Sequence, residues 1–133
     1  MATLYTGKVY LSTYWDGDQI ASLVLRHRRN NLSNREERKE INDVPSYQIK
    51  VYVMDFQYEL LEITNLFPDL DYWWMMLITK SGRVYTVKKD FYCNITSSDG
   101  GEVYITISNN IWKMIVDFPY SNLCKTSIEE VGE

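Results

Sequence analysis

Side chains alternate along most of this 133-residue chain, and that period of two constrains the fold more than any other feature. In residues 3–15, Tyr5, Val9, Leu11 and Trp15 share one face, while Leu4, Lys8, Tyr10 and Tyr14 share the other. Asp16-Gly17-Asp18 supplies a turn, because glycine accepts the positive φ of tight hairpins. Residues 19–28 then set Ala21, Leu23, Leu25 and His27 against Ile20, Val24, Arg26 and Arg28. Residues 46–56 alternate again, with Tyr47, Ile49, Val51 and Val53 opposite Gln48, Lys50 and Tyr52.

The second half repeats the theme as a meander. Residues 72–80 are apolar on both faces, as in a strand covered on two sides. Ser81-Gly82 turns the chain into 83–88. Residues 91–96, 102–107 and 111–118 follow as further strands, with Val103, Ile105 and Ile107 inward and Ser97–Gly101 as a turn. Two stretches resist the pattern. Residues 29–45 are polar and read as a loop or, through the capping box Ser33-x-x-Glu36, as a short helix. Residues 57–67 fit a strand or a helical face equally.

The sum is eight to nine short strands and at most one or two short helices. That predicts a mainly β fold, an antiparallel sandwich or barrel, over a single globular domain at 1–133. The tail from about residue 121 is expected to be flexible. An α+β sheet with helices at 33–43 and 57–66 is the alternative. With 45% apolar residues the core needs no metal or disulfide staple.

The charge and address of the chain exclude several classes. A net charge of −4 argues against broad binding to nucleic acid or anionic membrane. The longest apolar run, Tyr72–Ile78, falls far short of the roughly 20 residues of a membrane helix. The first residues lack the apolar stretch of a signal peptide. Cys93 and Cys124 form no CxxC motif and are expected to be free thiols in a reducing, cytoplasmic or otherwise intracellular setting. The sequons at Asn31 and Asn94 carry little weight in that setting.

No P-loop, HExxH, GxSxG or EF-hand pattern is present, so neither cofactor nor metal is expected. His27, the only histidine, is the one acid–base candidate, with Asp16 or Asp18 in support. The flanking arginines are expected to depress its pKa. Asp16/Asp18 and Asp69/Asp71 have the spacing to share a cation, but turn capping accounts for them as well.

Two features point to binding. Arg26, Arg28, Arg29, Arg35, Arg38 and Lys39 face only Glu36 and Glu37 within that stretch and form a basic loop. Eleven tyrosines and four tryptophans exceed the needs of one core, and Tyr10, Tyr14 and Tyr52 fall opposite the aliphatic face. The expectation is a non-enzymatic interaction or assembly protein, of the kind viruses and mobile elements encode as accessory proteins. It would bind a protein partner and itself through an aromatic sheet face and the basic loop. The alternatives are a domain binding nucleic acid or a phosphorylated ligand, a barrel holding a small apolar ligand, and an enzyme using His27.

Overall fold

The computed structural model describes residues 2–132. It is mainly β, as the alternation requires. The strands are β1 (Tyr5–Tyr14), β2 (Ile20–Arg29), β3 (Glu36–Val44), β4 (Tyr47–Tyr58), β5 (Asp71–Thr79), β6 (Val84–Val87), β7 (Phe91–Tyr92), β8 (Glu102–Ser108), β9 (Lys113–Asp117) and β10 (Leu123–Glu130). The only helical element among the described residues is a 3-10 turn at Ser97–Asp99, so the α+β alternative does not hold. One sheet runs in the order β3-β2-β5-β6-β10-β9-β8-β1-β4, with β7 pairing β5, and it curls into a nearly closed barrel. Among the described residues every ladder is antiparallel except β1–β8. Among the described residues no helix is long and apolar enough to cross a membrane.

Alternation fills the barrel. Val9 and Leu11 of β1, Leu23 and Leu25 of β2, Trp73, Met75 and Leu77 of β5 and Val103, Ile105 and Ile107 of β8 are all buried. Phe56 of β4 pairs with Gly7 of β1, and its ring lies where a Cβ on residue 7 would stand, at 2.6 Å. Only glycine permits that approach.

Three expectations fail, each for a physical reason. Residues 29–45 are neither a mobile loop nor a helix opened by Ser33: after a turn at 30–35 they form β3. That strand has no apolar stripe for periodicity to find. Its charges answer those of β2, with Arg28 opposite Glu36 and His27 opposite Glu37. The tail from 121 is not free, because β10 pairs with β9 on one side and β6 on the other. Nor are the cysteines free thiols. Cys93 and Cys124 form a disulfide with a Cα–Cα distance of 6.0 Å, within bridging reach, because β10 brings its first residues beside the 91–96 segment.

A fourth difference concerns β4. Tyr47, Ile49 and Val51, the more apolar face of the alternation, are all exposed. Two register shifts interrupt the β1–β4 ladder, and Lys50 adopts a positive φ of 49°. These bulges break the alternation that holds from Met54 to Tyr58.

Candidate functional site

The outer face of β8, β1 and β4 carries a tyrosine cluster. Register places Tyr10 opposite both Tyr104 and Tyr52, with ring centroids 5.7 and 6.1 Å away. Tyr14 and Tyr47 pair edge-on at 6.4 Å at the far end of the same ladder. Lys50, turned outward by its positive φ, lies 4.4 Å from the Tyr104 ring, and Lys8 lies 5.0 Å from the Tyr52 ring. Lys8 also reaches Asp55 at 3.3 Å, and the Tyr52 hydroxyl donates to Asp55 at 2.7 Å. These two bonds, Tyr52's first, hold the Asp55 carboxyl below its ordinary value. The face is therefore aromatic with an interleaved, internally matched set of charges. Tyr10, Tyr14 and Tyr52 all stand on it.

The cluster runs into an open edge. β4 hydrogen-bonds β1 on one side and no strand on the other, since β3 and β4 end the sheet. Along that edge Tyr47 is 61% exposed and Ile49 70%. Exposed backbone groups beside exposed apolar side chains form a template for a further strand.

The six basic residues do not form a free cationic patch. Arg26 makes bidentate contact with Asp90 at 2.9 and 2.8 Å, and its guanidinium stacks on Trp74 at 4.2 Å. Arg28 binds Glu36 at 2.8 Å, and Arg38 binds the other oxygen of Glu36 at 3.2 Å. Arg29 bridges Glu59 and Asp69, both at 3.3 Å, and Arg35 reaches Asp69 at 2.6 Å. Lys39 lies exposed on β3. Local sequence counts miss this because Asp90, Glu59 and Asp69 arrive from distant segments. The same contacts build a polar base under the 59–70 loop. Asn30 donates to Asp69 and accepts from the Leu70 amide, while Glu59 accepts from Asn65 and the Asp69 amide.

His27 is fully buried between Phe56 and Trp73, with ring centroids 4.9 and 4.6 Å away. Its Nδ1 lies 2.6 Å from Glu37 Oε1 and its Nε2 2.7 Å from Asp71 Oδ1. Burial pushes its pKa down, but the hydrogen bonds and charges of Asp71 and Glu37 outweigh that, and the net shift is upward. The depression expected from Arg26, Arg28 and Arg29 does not occur, because those cations point to the other face or are neutralised by their own carboxylates. Both ring nitrogens are occupied, and among the described residues no cavity opens beside them. Asp16 and Asp18 lie elsewhere: Asp18 accepts from Thr79 and Ser81, which holds it below its ordinary value. Asp69 and Asp71 serve different partners, arginine and histidine. Among the described residues no cluster of three ligating side chains could hold a metal.

The sequence hid two members of this set. Glu37 is ten residues from His27 but sits directly across a hairpin, a relation visible only once β3 is known to be a strand. Asp71 arrives 44 residues later on β5.

No family model matches this chain, and no curated protein matches it either.

Proposed function

We propose that this chain is a non-enzymatic interaction and assembly module. Its outer β8–β1–β4 face and free β4 edge bind a protein surface, in the first instance a second copy of itself. One observation carries the reading: the row Tyr104–Tyr10–Tyr52, with Tyr14 and Tyr47 beside it, runs into β4, whose outer edge is unpaired and whose Ile49 and Val51 are exposed. Tyrosine buries large area at little entropic cost, and an open edge adds backbone hydrogen bonds. The basic residues play no leading part, because five of the six already hold carboxylates. The same neutralisation weighs against a phosphate ligand, and the enclosure of His27 weighs against acid–base catalysis. The Cys93–Cys124 bond favours an oxidising compartment over the cytoplasm.

Sedimentation velocity over a concentration series tests the reading. A dimer or larger species is expected, and Tyr10→Ser with Tyr52→Ser should shift it toward monomer. A strict monomer at all concentrations would remove self-association. Low-salt binding to DNA or RNA that the double variant retains would favour the nucleic-acid alternative instead.

A further inference from the structure

The Glu37–His27–Asp71 cluster fastens three strands through one imidazole. His27 belongs to β2, Glu37 to β3 and Asp71 to β5. A neutral imidazole has one N–H and one bare nitrogen, so it can donate to only one carboxylate. With carboxylate oxygens 2.6 and 2.7 Å from its two nitrogens, the ring donates on both sides only as imidazolium.

The two carboxylates are not equally free to leave. Asp71 is fully buried, and its second oxygen also accepts the Ile95 amide at 3.1 Å. Glu37 is partly exposed on the end strand. Little else holds that half of β3: its buried apolar anchor, Val44, sits at the opposite end, and Ile41 is half-buried. Near Glu37 the remaining attachments are the ladder to β2, the Glu36–Arg28 contact at 2.8 Å and, just ahead of the strand, the Arg35–Asp69 contact at 2.6 Å.

We propose that this cluster is a proton latch: protonated His27 clamps the Glu36–Lys39 half of β3 to the barrel, and loss of that proton releases it. The proton passes to solvent base, the remaining N–H stays with Asp71, and Glu37 turns to water. The β3–β2 ladder then loosens around Glu37, between the Arg35–Asp69 contact and the buried Val44.

The groups around the ring set the sign. β3 contributes Glu37 and β5 contributes Asp71, both favouring the cation. β4 contributes Phe56 and, near Asp71, Tyr58, whose hydroxyl is held above its ordinary value by burial and by the charges of Asp71 and Asp99. The 93–95 segment offers a backbone amide and the Asn94 side chain, which bonds the Asp71 amide. Arg26 and Arg28 of β2 face away, toward Asp90 and Glu36. A histidine whose folded-state pKa is raised contributes stability in full below its unfolded value. That contribution fades as pH rises through the folded value, so the latch opens on the alkaline side.

Nitrogen-15 NMR of the His27 ring, together with amide exchange corrected for intrinsic rates, tests this on the whole chain. Both ring nitrogens should be protonated at pH 7. Above the ring's titration the corrected exchange of residues 36–39 should rise up to about tenfold per pH unit, the slope of one proton, while β1 and β8 stay unchanged. Glu37→Gln, on the partly exposed strand, should lower the ring's titration and speed β3 exchange at neutral pH. A neutral ring at pH 7 would overturn the proposal. So would unchanged β3 exchange across the titration, or simultaneous loss of protection in every strand.

Discussion

β3 and β4 end the same sheet and are separated only by Pro45 and Ser46, yet they present opposite edges. Outside Val44 and Ile41, β3 is Glu36, Glu37, Arg38, Lys39, Glu40, Asn42 and Asp43, all polar. The first half of β4 shows Tyr47, Ile49, Val51 and Tyr52 to solvent. Charges along an unpaired edge discourage another chain from docking, because they would lose water without gaining partners. An apolar edge invites docking. The strands also differ in how they are held. β4 is rooted by Met54 and Phe56 in the core, whereas the first half of β3 is held by ion pairs. One edge is blunted and detachable; the other is sticky and firmly mounted.

The contrast can be broken most directly through the core. Phe56→Ala should cost about 3–5 kcal/mol in denaturant unfolding, whereas Ile41→Ala, half-buried on β3, should cost less than about 2 kcal/mol. Equal costs would mean that β3 belongs to the core. Cys124→Ser should remove about 3 kcal/mol. The bridge lies away from both edges, so amide exchange in that variant should still rank β4 residues 54–58 as better protected than β3.

The edges themselves come next. Val51→Lys should weaken self-association at least tenfold, about 1.4 kcal/mol, by sedimentation. Lys39→Ala on β3 should leave association unchanged; a similar loss from both would locate the seam elsewhere. The smallest effect concerns acid. Glu59 closes the turn that follows β4. Burial pushes its carboxyl up, but the Asn65 bond, the Asp69 amide and Arg29 outweigh burial, and the net shift is downward. Its contribution is present above the unfolded carboxylate value and is lost as pH falls through the folded one. Acid should therefore loosen residues 59–70 as the pH falls below the ordinary carboxylate range, as amide exchange over an acid series would report.

Much of this architecture was legible in the residues. β1, β2, β8 and β9 announce themselves by alternation, since one face of each meets the core, and β5 by an apolar run, although only one of its faces is buried. β3 and β10 do not, because an edge or half-covered strand can take its stability from backbone pairing and charge matching while carrying few apolar side chains. β4 misleads for the opposite reason: its alternation is real, but two register shifts interrupt the ladder and the strand ends the sheet, so Ile49 and Val51 stay exposed. The tyrosine positions followed from period two, so Tyr10, Tyr14 and Tyr52 fall on one outer face. The fate of the arginines did not, because Asp90, Glu59 and Asp69 reach them only through tertiary folding. The disulfide was equally invisible, since the 31-residue spacing says nothing about which strands adjoin.

The parallel β1–β8 ladder has a consequence for how the chain is made. β1 leaves the ribosome before either of its partners, β4 and β8, and its β8 partner is Glu102–Ser108. At ordinary translation speeds of about 5–20 residues per second, its second flank stays bare for roughly 5–20 seconds after its own synthesis. The nascent chain thus carries a tyrosine-studded, half-paired ribbon until β8 has been made, and slowing elongation between residues 60 and 100 would lengthen its exposure to chaperones and to neighbouring nascent chains.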